Sequence, residues 1–584
     1  MADSILESLQ PVVEQLKDMR PFLPTYAHLL VSALIPIYTG AHASLSRPSS
    51  AAKPTKKSRA ESESEDEEED EGKDTGNKME GLEPSDALMF PLIAGLTLGG
   101  LYLIIKWLKD PSILNKILSF YFSQMGLFFT GALLRDGLKV LRSYVFPSTY
   151  YSGNRQWRVN QFKCLASAIE NEESSDTAIH VERKSPLPGF LGAIPLPVTI
   201  QDSLWTLRAL IYQKLQLRVK ALHLFNIKIR YDMLDVTAAF TSLVAVTYFA
   251  FYAKPWWLTN LLGFSFCYGS LQVISPSTFT TGSLILTSLF LYDIYFVFFT
   301  PLMVTVATKL DVPIKMVFPR PAGPNEDPNE LSLAMLGLGD IVVPGMIIGL
   351  ALRFDLFLYY KYKSILKSRK ESSAEGAEKA IYQRATGGWG ERFWTRSKPS
   401  KSLSLQPPYP DAQSFPKPYF YASIVGYIIG MVATLIAMQF SHHAQPALLY
   451  LVPGVLISLW STAYFRKELD SMWSFSDMME DEEPKANIQE DQGREKKEAA
   501  VRSGLFARIW SGDLKSQFDN VEVHKDDEEE KESEVESLSD SQKKSDTQPG
   551  DAVPSKAEIE GEICLFSMSV SVLQKKCLID GSGE

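Results

Sequence analysis

The segment from Thr280 to Ala307 reads TTGSLILTSLFLYDIYFVFFTPLMVTVA, and Asp293 is its one charged residue. A helix of about 20 predominantly apolar residues is long enough to cross ~30 Å of hydrocarbon at about 1.5 Å per residue. The segment therefore predicts a transmembrane helix with an ionisable side chain in its interior. Because a carboxylate is costly in mid-membrane, its presence there is a functional hypothesis by default.

Eight other segments are also long and apolar enough to cross a membrane. The nine predicted segments cover residues 23–45, 86–107, 113–134, 234–253, 256–275, 280–307, 329–352, 418–440 and 444–465. They predict an all-α polytopic membrane protein with about nine transmembrane helices. The mean hydropathy of −0.06 conceals this core, because long charged segments dilute it.

The first segment has a second interpretation as a cleaved secretory signal, because Ala41-His42-Ala43 resembles a small-residue cleavage site. The residues before it are acidic where a signal carries a basic region: Asp3, Glu7, Glu14 and Asp18. This flank favours a retained helix, with residues 1–22 as a tail outside the membrane.

Lys and Arg residues indicate the orientation, because positive charge is retained on the cytosolic side. They collect after the first segment and in the loop 353–417 after the seventh. With nine spans, these two loops and the C-terminus share the cytosolic face. The tail 1–22 is then lumenal.

Three polar regions are predicted to be cytosolic. The acidic loop 46–85 and most of the tail 466–584 are predicted to be disordered, because they cannot bury enough apolar surface. Nine of the ten net negative charges lie between Glu61 and Glu71. Residues 135–233 form an insertion that ends in the basic, acid-free stretch Ser203–Arg230. Its spacing predicts an amphipathic helix, either on the anionic membrane face or packed within a small subdomain.

A second acidic residue, Asp340, follows Gly337-Leu338-Gly339 near the middle of the seventh segment. Asp293 lies 13 residues after Thr280, and Asp340 lies 13 residues before Arg353, so the two carboxylates reach equal depth on antiparallel helices. Two adjacent carboxylates in a low dielectric cannot both ionise and share one proton. Such a pair can act as general acid and general base at once.

The neighbouring residues suit an extended peptide. Gly337 and Gly339 lack a Cβ and allow another backbone to approach. Pro446, in Gln445-Pro446-Ala447-Leu448, has no N–H and would open the start of the ninth segment. Each feature also has a structural interpretation: an interhelical hydrogen bond or ion path for an aspartate, close packing for the glycines, and a helix start for the proline.

The cysteines predict no disulfide framework or metal site, because they are few, scattered and without metal-like spacing. We predict free thiols at all four positions: Cys164, Cys267, Cys564 and Cys577.

Tyr292-Asp293, Gly337-Leu338-Gly339-Asp340 and Pro446-Ala447-Leu448 occur in the order of the three motifs of the intramembrane aspartyl proteases. The chain thus resembles the presenilin and signal peptide peptidase family over about residues 220–465. The flanks, including Pro313 to Pro319 and Gln445 to Pro453, are more similar to signal peptide peptidases.

The resemblance implies a protease in which Asp293 and Asp340 are catalytic and no metal or organic cofactor is needed. It implies that other residues bind substrate and shape the site: Tyr292, Gly337, Leu338, Gly339, Gln445, Pro446, Ala447 and Leu448. The implied substrates are remnant signal peptides and other type II membrane segments in the endoplasmic reticulum, and nucleic acid is not implied. A homo-oligomer or partners from a degradation machinery are left open.

Two other functions stay open at this point. A non-catalytic membrane protein could use the same carboxylates for ion or proton passage. The same fold could also bind or chaperone membrane proteins during their turnover.

Overall fold

The structure of the chain is a computed structural model. It describes residues 20–53, 79–108, 112–152, 155–161, 163–169, 182–189, 191–221, 225–302, 305–306, 315–321, 332–371, 379–383, 385, 389–395, 412, 414–441, 445–477 and 566–572. Most of the acidic loop 46–85 and of the tail 466–584, for which disorder is predicted, lies outside the described residues.

Helices account for most of the described chain. In chain order they are α1 (Leu23–Ala43), α2 (Pro84–Leu108), α3 (Ser112–Val145), α4 (Val198–Ile211), α5 (Met233–Phe251), α6 (Trp256–Val273), α7 (Phe279–Phe298), α8 (Gly339–Glu371), α9 (Trp389–Trp394), α10 (Pro418–Ser441), α11 (Leu448–Arg466) and α12 (Leu469–Trp473). Each of the nine predicted segments overlaps one long helix of this set.

Short strands occupy the connections between helices. They are β1 (Ala51–Ala52), β2 (Glu80–Leu82), β3 (Thr149–Ser152), β4 (Arg155–Asn160), β5 (Leu165–Ile169), β6 (Glu182–Arg183), β7 (Lys214–Ala221), β8 (Phe225–Asp232), β9 (Ile274–Pro276), β10 (Lys315–Pro319), β11 (Leu333–Gly337), β12 (Ala380–Ile381) and β13 (Phe566–Val572).

Within the described residues, eight helices are long and apolar enough to cross a membrane. They are α1, α2, α3, α5, α7, α8, α10 and α11, so the prediction of a polytopic membrane protein is confirmed. The remaining predicted segment forms α6, which is less apolar because it carries Asn260, Ser265 and Gln272. Asn260 and Ser265 are buried. Helix α6 packs against α1, α3 and α8, and so presents less surface to lipid.

Helix α8 lies at the centre of the bundle. It packs against α1, α6, α7, α10 and α11. All the apolar side chains from Ile347 to Leu352 are fully buried. A helix that is apolar on every face is covered either by protein or by lipid, and the neighbouring helices provide this cover for α8.

The predicted seventh segment, 329–352, is wrong at both ends. Leu333–Gly337 is a strand, and the helix begins only at Gly339. Glycine is unfavourable in the interior of a helix. The strand Leu333–Gly337 pairs instead with β10 in an antiparallel hairpin. Asp340 therefore lies in the first turn of α8, not near the middle of a helix. At the other end α8 continues to Glu371, well into the predicted loop 353–417.

The third segment also extends further than predicted, since α3 runs to Val145 inside the predicted insertion 135–233. The helix expected within Ser203–Arg230 ends at Ile211, and strands β7 and β8 follow. The indole N–H of Trp205 in α4 donates to the carbonyl of Lys184 at 2.7 Å. Trp205 packs with Tyr150 and Trp157 of the sheet β3-β4-β5-β6. Helix α4 thus belongs to a small subdomain.

A second, smaller unit of the chain takes in residues 217–229 and 566–571. Strands β7, β8 and β13 form a sheet in the order β13-β7-β8.

One end of the bundle is fixed by a buried arginine. Arg353 of α8 donates through Nε to Asp477 Oδ2 at 2.7 Å and through Nη1 to Ser44 Oγ at 2.8 Å. Its Nη2 donates to Ser275 Oγ of β9. The guanidinium therefore joins the end of α1, the start of the α7 region and the segment that follows α12.

We predict that Arg353→Met lowers the free energy of unfolding by about 3 kcal/mol, because it leaves a partly buried carboxylate without its cation. Unfolding in detergent micelles measures this effect. Arg466→Met is the matched control, because its pair with Glu468 is exposed (47% and 28% of the side chains, against 3% and 16% for Arg353 and Asp477). For Arg466→Met we expect a loss below about 1 kcal/mol. Equal losses in both variants would contradict the stabilising role of Arg353.

Candidate active site

Asp293 is buried in the last third of α7, with 5% of its surface exposed. Its Oδ2 accepts a hydrogen bond from the backbone N–H of Leu448 at 3.2 Å. Leu448 is the first residue of α11, whose initial N–H groups have no partner within the helix. The positive end of α11 is therefore directed at the Asp293 carboxylate, as at other anion sites on helix starts.

Asp340 is half-buried in the first turn of α8. The carbonyl of Leu338 accepts from the N–H groups of Ile341 at 3.1 Å and Val342 at 2.9 Å, which starts the helix. Negative charge in a first helical turn is stabilised by the helix dipole. A Cβ on Gly337 would lie 3.2 Å from Oδ2 of Asp340, so the absence of a side chain at Gly337 leaves room for the carboxylate.

The structure brings the two carboxylates together. Asp293 and Asp340 lie on the contacting helices α7 and α8, and their side chains interact electrostatically. The prediction of equal depth requires two helical stretches, and both are helical in the structure: Thr280 to Asp293 and Asp340 to Arg353. Two such carboxyl groups can share a proton and serve as acid and base together.

Pro446, Ala447 and Leu448 form the start of α11. Pro446 is buried, and its carbonyl accepts from the N–H of Leu449 at 3.2 Å. The carbonyl of Ala447 accepts from Tyr450 and Leu451, also at 3.2 Å. The ninth helix begins at Leu448, just after Pro446, which offers no N–H to a helical ladder.

The other predicted residues point to different neighbours. The ring of Tyr292 packs on Phe296 with centroids 4.5 Å apart and lies near Gly95 of α2. Gln445 donates through Nε2 to Ser441 Oγ at 2.9 Å. Leu338 contacts the position of Gly263 on α6, and Gly339 has open space around it.

The β10-β11 hairpin leads directly into the Asp340 turn. Its register pairs Lys315 with Gly337 and Pro319 with Leu333. Among the described residues no strand pairs with the outer edge of β11, since the sheet has two strands. An extended peptide can therefore add to this edge beside Gly337.

Two side chains that join α8 to α10 escape sequence reasoning. Tyr427 of α10 is fully buried and donates from its hydroxyl to the backbone carbonyl of Asp340 at 3.3 Å. Asp355 is another buried carboxylate, 2% exposed, and accepts the N–H groups of Tyr419 at 3.3 Å and Phe420 at 2.9 Å. Asp355 thus caps the start of α10. Sequence reasoning misses Asp355 because it lies beyond Arg353, outside the predicted span. No sequence signal distinguishes Tyr427 from the other tyrosines.

In the part of the chain that the structure describes, no three His, Cys, Asp or Glu side chains come together as a metal site would require. Cys164 and Cys267 are free thiols, as predicted. Cys564 and Cys577 lie outside the described residues.

Comparison with known proteins gives one family. The family described as Signal peptide peptidase matches residues 74–479. The match contains Asp293, Asp340 and Pro446, and it also takes in helix α2 and the segment up to Asp477.

Individual relatives agree with this family. A signal peptide peptidase from Homo sapiens is 27% identical over 486 residues, covering 82% of this chain and 89% of its own. A protein of Schizosaccharomyces pombe named as a probable intramembrane protease is 33% identical over 258 residues, covering 44% and 68%. Intramembrane protease 2 of Caenorhabditis elegans is 31% identical over 252 residues, covering 43% and 44%.

We predict that Asp355→Leu lowers the free energy of unfolding by about 1–2 kcal/mol, because the first N–H groups of α10 lose their acceptor. Asp355→Asn keeps a side-chain oxygen and should lose less. Thermal unfolding of the purified protein in detergent measures both. Equal stability of Asp355→Leu and the wild type would show that the cap is not needed.

Proposed function

The chain belongs to the signal peptide peptidase family, and on this basis we propose that it is an aspartic intramembrane protease with Asp293 and Asp340 as its catalytic pair. The observation that supports the proposal is the meeting of these carboxylates between the end of α7 and the starts of α8 and α11. Three separate stretches of sequence are needed to build this site.

The chemistry requires one proton on the pair. The ionised carboxylate takes a proton from water, and the water oxygen attacks the peptide carbonyl while the protonated carboxyl donates to the carbonyl oxygen. The resulting tetrahedral intermediate breaks its C–N bond as a proton passes to the leaving nitrogen. The N–H of Leu448 holds Oδ2 of Asp293, which leaves Oδ1 for the shared proton or the water.

The substrate must be extended to react. A transmembrane helix hides its peptide bonds, and unwinding it exposes N–H and C=O groups that need partners inside the protein. At the outer edge of β11, the backbone N–H and C=O groups of Leu333, Met335 and Gly337 lie on the side away from β10. They are available as hydrogen-bond partners for an extended substrate next to Asp340. The open space at Gly339 suits the same approach.

We further propose that the substrates are remnant signal peptides and other type II membrane segments, and that the protein resides in the endoplasmic reticulum membrane. The name of the human relative, signal peptide peptidase, and its match along 82% of this chain support the proposal. Incubating the purified protein with a synthetic signal peptide tests the substrate class, and a failure to cleave it while another membrane segment is cleaved would contradict it.

We predict that Asp293→Asn and Asp340→Asn each abolish cleavage of a signal-peptide substrate, because an amide cannot exchange the shared proton. Mass spectrometry of the products, in detergent and in liposomes, measures the loss. Asp355→Asn is the matched control, since this buried carboxylate caps a helix and should retain most of the activity. Full cleavage by either catalytic variant would contradict the proposal. Ion flux in liposomes without peptide products would instead favour a channel or proton path.

The proposed orientation places the N-terminus in the lumen and the C-terminus in the cytosol. Basic residues support it, because they collect at one end of the bundle: Arg47 after α1, Lys361 and Lys363 on α8, Lys417 before α10 and Arg466 on α11. The opposite end of α8 begins at Asp340.

We predict that an N-glycosylation acceptor added to the tail 1–22 is modified in cells, whereas one added to the loop 353–417 is not. The measurement is a shift in gel mobility that is removed by endoglycosidase. Glycosylation of the loop and not of the tail would show the reverse orientation.

A further inference from the structure

A buried amide on α6 binds the backbone of the hairpin that precedes Asp340. Asn260 is 5% exposed. Its Nδ2 donates to the carbonyl of Val317 at 2.8 Å, and its Oδ1 accepts from the N–H of Val317 at 2.8 Å. The side chain thus occupies the place that the peptide group of a neighbouring strand would take beside β10.

These two bonds fix which way β10 faces. In an antiparallel ladder the N–H and C=O of one residue point to the same side. The groups of Val317 point at α6, so the pairs that exchange hydrogen bonds with β11 are Met316 with Leu336 and Phe318 with Ala334. One step further along the same edge, the carbonyl of Pro319 accepts from Thr25 Oγ1 of α1 at 3.2 Å.

The hairpin connects this contact to the catalytic turn. Strand β11 ends at Gly337, three residues before Asp340. Close to Asn260 on α6, a Cβ on Gly263 would lie 3.3 Å from Leu338 Cδ2 and 3.3 Å from Met316 Cγ. Helix α6 therefore touches the hairpin at Val317 and Met316 and the turn at Leu338.

We propose that Asn260 is a positioning residue: it sets the height and register of the β10-β11 hairpin against α6, and through it the placement of Asp340 relative to the bound peptide. The inference rests on the proposed proteolytic function. By filling the β10 edge, Asn260 and Thr25 also direct an incoming extended peptide to the edge of β11.

The energetic reason is the depth of the contact in the bundle. A buried N–H or C=O that loses its partner costs about 1–3 kcal/mol, and Val317 would lose two partners at once. The hairpin is therefore expected to shift until Val317 finds other partners. Because β11 is paired with β10 along its whole length and ends three residues before Asp340, such a shift moves the carboxylate.

The test compares Asn260→Leu, which has a similar shape and no polar atoms, with the wild type on one signal-peptide substrate. We expect kcat to fall at least tenfold with a smaller change in KM, and we expect cleavage to spread over neighbouring peptide bonds. Mass spectrometry gives the bonds and a time course gives the constants. The matched control is Ser265→Ala, a buried polar residue of the same helix that donates within α6 to Leu261; it should cleave like the wild type.

If Asn260→Leu does not fold, Asn260→Asp is the second variant that tests the proposal. A protonated carboxylic acid presents a donor and an acceptor where the amide does, whereas the ionised form has no donor for Val317. The ratio of its kcat to the wild-type kcat should therefore rise as the pH falls. His28, Lys315 and the catalytic pair are present in both enzymes, so the wild-type pH profile is the reference for their contribution.

The outcomes separate the two proposals. Absence of product from the wild type would overturn the proteolytic function itself. Wild-type cleavage with unchanged kcat and the same cleaved bond in Asn260→Leu would overturn the positioning role alone, as would a raised KM with unchanged kcat. A kcat ratio for Asn260→Asp that does not vary with pH would overturn it too.

Discussion

Backbone N–H and C=O groups within the hydrocarbon must find partners inside the protein, and this constraint shapes the site. The chain leaves helical geometry next to Asp340 and before α11. Each break is satisfied by a specific group. The N–H of Leu448 donates to Asp293, Val317 pairs with Asn260, and the carbonyl of Pro319 accepts from Thr25. The interruptions that would admit a peptide are thus built without orphaned groups at these positions.

The same contacts assemble the proposed active site from distant parts of the sequence. Helix α11 is brought close to α10 at Gly426, where a methyl group would overlap the carbonyl oxygen of Gly454. Helix α10 in turn is capped by Asp355 and places the hydroxyl of Tyr427 on the backbone of Asp340. Close packing, a helix cap and one hydrogen bond therefore hold α10 and α11 in position around the carboxylates.

The parts of this structure that follow from local sequence were predictable. Apolar runs revealed the membrane helices, and the aspartates stood out because charge is rare within such runs. The start of α8 was not predictable from the sequence, because the residues from Leu331 to Leu338 are apolar enough to continue a helix. In the structure, Leu333–Gly337 pairs with β10 instead. The roles of Asn260, Tyr427 and Asp355 depend on partners 57, 87 and 65 residues away. No periodicity within one segment reports such partners.

Residues that follow α12 complete the packing around Arg353. Phe475 packs against Phe279 and Phe354 with ring centroids 5.8 and 5.1 Å apart, and the N–H of Asp477 donates to the carbonyl of Ser277 at 2.9 Å. The membrane domain therefore closes with residues that lie beyond its last long helix. A cut just after Arg466 would therefore remove the residues that cover Arg353 at this end of the bundle.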